Sequence, residues 1–146
     1  MPAANRVGEE DTGVKIVMSG LDLERAMISP LCLGIAERAL ELSLEFAKTR
    51  QQFGKPIGAF QNTRFKLAEC KTNAVVARTF LDSCIAAHLK GELSVEMAAM
   101  CKYWLSDLQC QVLDECVQLH GGYGFMQEYA VAEMWTDARV QRIYGG

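Results

Sequence analysis

Between Ile28 and Leu119 the apolar residues of this chain recur at three- and four-residue steps in three long stripes, a period that calls for helices and leaves no room for a sheet. The first stripe runs Ile28, Leu31, Cys32, Ile35, Ala39, Leu42 and Phe46. The second runs Leu67, Cys70, Ala74, Ala77, Leu81, Cys84 and His88, and the third Ala98, Cys101, Leu105, Leu108, Val112, Cys116 and Leu119. A shorter stripe, Val131, Met134 and Ala138, predicts a fourth helix. The punctuation agrees with these spans. The first helix, opening at Asp22, is expected to end near Thr49 and the second at Gly91; the third should open at an N-cap Ser94 and close at Gly121-Gly122. Pro30 cannot donate to the Ala26 carbonyl, which predicts a kink or a first turn set off from the rest. With connections of only a few residues, the fold class is all-α, an up-down four-helix bundle.

The first twenty residues read differently. They contain Pro2, Gly8, Gly13 and Gly20, and the weak alternation from Val14 to Met18 predicts a strand or extended arm. A lone strand needs a partner, so residues 1–20 are expected to be the end of a β domain absent from this sequence, and residues 21–146 the helical domain.

Half of the 146 residues are apolar, enough for one core. A net charge of -3 and a pI of 5.4 argue against nucleic acid or an anionic membrane as partner. The apolar runs are short and the first twenty positions hold Glu9, Glu10, Asp11 and Lys15, which argues against a membrane span or a secretory signal. The expectation is a soluble chain. Cys32, Cys70, Cys84, Cys101, Cys110 and Cys116 form no CxxC pair and mostly fall on the stripes, so they read as small reduced core residues in a reducing compartment. His88 and His120 lack neighbours at metal-ligand spacing, and no metal site is expected.

Apolar stripes report a core and nothing more, so function must be sought where they are interrupted. The segment from Arg50 to Gln61, Arg-Gln-Gln-Phe-Gly-Lys-Pro-Ile-Gly-Ala-Phe-Gln, carries a cation, two amides and a Phe beside a Gly. Alone, Arg50 is an ordinary helix-end cation. Gln118-Leu-His-Gly-Gly-Tyr-Gly124 closes the third helix, and its Gly pair is accounted for by a C-cap. Glu24, followed by Arg25, stands in the first turn of the first predicted helix, where an acidic residue suits the dipole and does no chemistry.

The order and separations of these motifs, with Asp137-Ala138-Arg139 and Tyr144-Gly145-Gly146 after them, resemble the C-terminal helical domain of flavin-dependent acyl-CoA dehydrogenases across essentially all of residues 14–146. The resemblance implies FAD as cofactor. It assigns Arg50, Gln52, Phe53 and Gln61 to the diphosphate and adenosine portion of a FAD held mainly by a neighbouring subunit. Gln118, Leu119, His120, Gly121 and Gly122 would face the adenine-diphosphate end. A homo-oligomer, dimer or tetramer, follows from that sharing, with acyl-CoA as substrate and an electron-transfer flavoprotein as acceptor.

Most members of the family hold their catalytic Glu in the terminal turn, where this chain has Gly145. A minority, the long-chain and isovaleryl enzymes among them, carry the base on the first helix of this domain directly before an Arg and keep a small residue in the turn. Leu21-Asp22-Leu23-Glu24-Arg25 with Tyr144-Gly145-Gly146 is similar to that arrangement, which makes Glu24 the expected base for the α-proton. Arg25 would orient Glu24 or approach the CoA, or simply pair with Asp22; Asp22 would reach the pantetheine arm, and Tyr144 and Gly145 would border the substrate. The family is generally more than twice this long, so these residues are expected to hold the base and part of the cofactor wall and to be inactive alone. An acyl-CoA oxidase domain, passing electrons to oxygen, and a non-catalytic self-association module are the alternatives. The resemblance implies the bacterial cytoplasm or the mitochondrial matrix.

Overall fold

The computed structural model describes residues 2–146 and contains four α-helices: α1 Gly13–Thr49, α2 Gln61–Leu89, α3 Val95–His120 and α4 Ala130–Ala138. Short 3-10 turns at Ala3–Asn5, Ile57–Ala59, Gly121–Phe125 and Arg139–Arg142 complete the path, and a two-residue hairpin, β1 Gln51–Gln52 with β2 Lys55–Pro56, joins α1 to the turn before α2. The all-α bundle expected from the stripes is what forms. Ser94 caps α3 as its position suggests, its hydroxyl accepting from the Met97 amide at 3.2 Å.

The extended arm is not formed as expected. Residues 13–20 belong to α1, nine residues ahead of the Asp22 start, and Met1 lies outside the described residues. No partner strand is available for Val14 to Met18 within the bundle, and a helix satisfies their backbone groups locally where a lone strand cannot. α1 also runs unbroken through Pro30, so no first turn is set off there. At that turn the Ser29 hydroxyl donates to the Arg25 carbonyl at 2.8 Å, one position from the Ala26 carbonyl that Pro30 cannot serve.

The helices alternate in direction, and contacts along them fix the order. Phe46 stacks on His120 at one end, while Arg25 and Lys102 meet the same terminal turn at the other, so α1 and α3 run parallel. Lys66 pairs with Glu115 at 2.7 Å and Phe80 lies edge-on to Trp104, which sets α2 antiparallel to α3. Trp135 reaches Asp114 and Arg142 reaches Asp107, so α4 descends as well.

The most extensive contact joins α1 to α3, the diagonal pair of a square bundle, with α2 and α4 on opposite flanks. Residue size explains this. The buried arc of α1 includes Ser29, Ala36, Ala39, Ser43 and Ala47, and that of α3 Ala98, Cys101, Ser106 and Cys116, all small enough for two backbones to approach closely. The same packing rotates the α1 core away from its most apolar stripe: Leu31 is exposed, while Leu33 and Leu40 are buried. His88, placed on the second stripe, is exposed too, on the last turn of α2 beyond the reach of the core. Five of the six cysteines are buried in the core, and all six are free thiols.

Candidate active site and cofactor cleft

Two features stand at opposite ends of α1. At its C-terminal end a cleft of about 450 Å³ is lined by Arg50 and Gln52 from the helix end and hairpin, and by Gln118, Leu119, His120, Gly121 and Gly122 from the end of α3. Seven of the expected cofactor residues therefore converge across a gap of sixty-odd positions in sequence, because α1 and α3 are parallel and end side by side. Phe46, Ile57, Tyr123 and Met126 complete the wall. The Arg50 guanidinium lies 4.9 Å from the centre of the Tyr123 ring, and among the described residues it forms no ion pair with a carboxylate.

His120 is buried beneath that cleft. Its ring stacks on Phe46 with centroids 4.2 Å apart, and its Nδ1 lies 2.8 Å from the Cys116 carbonyl. A carbonyl only accepts, so Nδ1 carries a proton and donates it to the Cys116 carbonyl. Tyr129 meets both Phe46 and His120 edge-on, and Tyr123 lies against Tyr129 at 5.2 Å. Gly124 is buried where any Cβ would come within 2.5 Å of the Val117 carbonyl, so the loop is pressed onto α3 and holds Tyr123 over the cleft.

Phe53 and Gln61 are not on this wall. Phe53 sits at the hairpin tip, 92% exposed, with φ of +52°, followed by Gly54 at +77°. Two successive positive φ values are what a two-residue type I′ hairpin needs, and they turn the Phe53 ring outward. Gln61 opens α2 and is also exposed. Gly58 lets the turn before α2 press closely against α1: a Cβ there would stand 3.0 Å from the Ala47 carbonyl.

At the N-terminal end of α1, Glu24 stands beside the terminal turn. Gly145 has φ of +76°, and a Cβ built on it would lie 3.7 Å from the Glu24 carboxyl carbon and 2.9 Å from Ile28. Arg25 donates through Nε to the Gly145 carbonyl at 3.1 Å and pairs through Nη1 with Asp22 at 3.3 Å. The pairing with Asp22 is thus formed, and the same guanidinium also holds the terminal turn. Burial first, then the neighbouring Cys32 and Glu24 charges, push the Tyr144 hydroxyl above its usual pKa. Glu24 itself is exposed, so the surface of this chain does not shield it from water.

The pattern of the acyl-CoA dehydrogenase C-terminal domain matches residues 11–146, nearly the whole chain. The chain belongs to that family. Long-chain specific acyl-CoA dehydrogenase, mitochondrial, of Rattus norvegicus is 44% identical over 146 residues, which cover 100% of this chain and 34% of that protein. Among solved structures, an acyl-CoA dehydrogenase from Geobacillus kaustophilus superposes with a TM-score of 0.97 at 38% identity, covering 100% of this chain and 38% of that one. An acyl-CoA dehydrogenase from Bacillus anthracis, solved in complex with FAD, gives 0.90 at 32% identity, with 100% and 28% covered. The chain thus spans about a third of the length of the relatives it matches.

Within this acyl-CoA dehydrogenase domain, sequence reasoning missed the aromatic part of the cleft. Phe46 sits on a core stripe, and Tyr123 lies inside a loop whose glycines draw the attention. The Tyr123 position between glycines was the available signal; Ile57 and Met126 carry none.

Proposed function

We propose that this domain belongs to an enzyme that forms the α,β double bond of an acyl-CoA thioester, with Glu24 as the base that takes the α-proton. The observation that carries the reading is the 3.7 Å separation between the Glu24 carboxyl and the place where a side chain at Gly145 would begin. A carboxylate on the first helix and one in the terminal turn would reach the same point in space, so a base at Glu24 and a glycine at position 145 are two halves of one choice. Asp22 and Arg25 hold the rim of this site, and the Arg25 bond to Gly145 keeps the turn against it.

The cleft at the other end suits FAD. Arg50 is a cation without a carboxylate partner among the described residues, Gly121 and Gly122 have open space where a Cβ would be, and Tyr123, Ile57 and Met126 offer apolar surface. Arg50 would hold the diphosphate with Gln52 and Gln118 to His120 along its flank; Phe53 and Gln61, on the outer side of the hairpin, would meet the part of the cofactor lying toward a neighbouring subunit. FAD, when bound, supplies the acceptor for the β-hydride. Glu24 accepts the α-proton, Arg25 orients it, and shielding from water must come from surfaces other than this bundle, because Glu24 is exposed here.

Glu24 and Arg50 are separated by roughly 39 Å of helix at 1.5 Å per residue, too far for both to serve one dinucleotide. Each copy would therefore give its base to one flavin and its Arg50 cleft to another, which requires a homo-oligomer. An electron-transfer flavoprotein is the proposed acceptor, and the bacterial cytoplasm or mitochondrial matrix the setting. The test is Glu24→Gln in the whole flavoprotein. We expect loss of α-proton exchange and of flavin reduction with flavin retained; exchange at the wild-type rate would assign the base to another residue.

A further inference from the structure

We infer that Lys102 is a positioning residue for the Glu24 site, acting through the terminal turn. This rests on the reading of Glu24 as base. Lys102 lies on α3 and is only 3% exposed, which is exceptional for an ammonium unless something holds it. Its Nζ donates to the Gly146 main-chain oxygen at 3.2 Å. Around it the polar groups are tied together: the Cys32 thiol on α1 donates to the Gln141 side-chain oxygen at 2.9 Å, and the ammonium is close enough to lower the Cys32 pKa against the upward effect of burial.

The terminal turn is thus gripped from two helices, by Arg25 on Gly145 and by Lys102 on Gly146. Gly145 and Gly146 have φ of +76° and +82°, conformations without side-chain packing to keep them, so beyond the Ile143 and Tyr144 amides on the Val140 carbonyl these two bonds hold the end of the turn in place. The turn in turn bounds the space over the Glu24 carboxyl, with the Gly145 position 3.7 Å away. Arg25 touches the site directly. Lys102 reaches it only from beneath, through the backbone, and its role is to keep the turn from lifting off α1 and α3.

Lys102→Met separates this role from stability, since an apolar side chain of similar length fills the buried volume without an ion to satisfy. Lys102→Arg keeps the charge and a donor. In the whole flavoprotein, deuterium exchange at the α-carbon of a bound acyl thioester is measured alongside flavin content and thermal midpoint. Lys102→Met is expected to slow exchange roughly ten- to hundred-fold, as a misplacement of about 1 Å does, with flavin content and midpoint held and Lys102→Arg recovering part of the rate. Unchanged exchange in Lys102→Met, or a loss that only follows loss of flavin or of folding, overturns the inference about Lys102 alone. Wild-type exchange in Glu24→Gln overturns the reading beneath it as well.

Discussion

Phe53 illustrates a residue held in a conformation it does not favour. Its φ of +52° places a bulky side chain in the left-handed region, at a cost of roughly 1–2 kcal/mol that Asn largely avoids. Phe53→Asn should therefore stabilise the chain by about 1 kcal/mol in urea unfolding, while weakening flavin retention in the whole enzyme if the exposed ring meets the cofactor. The core thiols give a second residue-level prediction. Burial pushes Cys32 from its usual 9.0 up to about 12, and Cys116 and Cys84 to about 11. Unfolded thiols lose their protons near 9.0 and folded ones do not, so above that pH the unfolded state binds fewer protons and stability falls as pH rises. The urea midpoint should decline between about pH 9 and 11, and Cys32→Ala should flatten the decline. A midpoint indifferent to pH in that range would contradict the burial of these thiols.

At the scale of elements, the ends are better determined than the faces. Ser94 satisfies an orphan amide at the start of α3, and Ser94→Ala should cost about 1 kcal/mol, read as a lower urea midpoint with unchanged slope. The predicted ends near Thr49, Gly91 and Gly121 agree with the helices because glycine and polar residues act locally, through backbone conformation and caps. The start of α1 does not follow from such signals. Gly13 and Gly20 suggest a break, yet both lie within the helix, since among the described residues no strand pairs with this segment to reward an extended backbone there. The buried face of α1 is also offset from its most apolar stripe, because close contact with α3 selects small residues over large ones.

For the whole molecule the decisive feature is the α1–α3 seam. It runs the two longest-contacting helices in parallel, so that each end of the bundle gathers residues from both: Arg50 with Gln118 to Gly122 at one, Glu24 with Lys102 and the terminal turn at the other. A larger residue in the seam should part the helices. Ala36→Leu is expected to destabilise by roughly 1–3 kcal/mol, and in the whole enzyme to impair both ends together, seen as lower flavin content and slower α-proton exchange. An unchanged unfolding midpoint in Ala36→Leu would show that the seam is looser than its small residues imply.

Period and punctuation alone determined the helix count, most boundaries and the reduced core cysteines, because those depend on interactions within a few residues of each other; the candidate site residues came from the resemblance of the motifs, in their order and separations, to a family. Which motifs share a site was decided only by the tertiary structure. The parallel pairing of α1 with α3 brought seven cofactor candidates onto one wall, turned Phe53 and Gln61 away from it, added Phe46 and Tyr123, and buried Lys102 under the turn beside Glu24. None of this has a local signature. It follows from side-chain volume at a seam between helices separated by a whole intervening helix, where packing outweighs the preference of any single stripe.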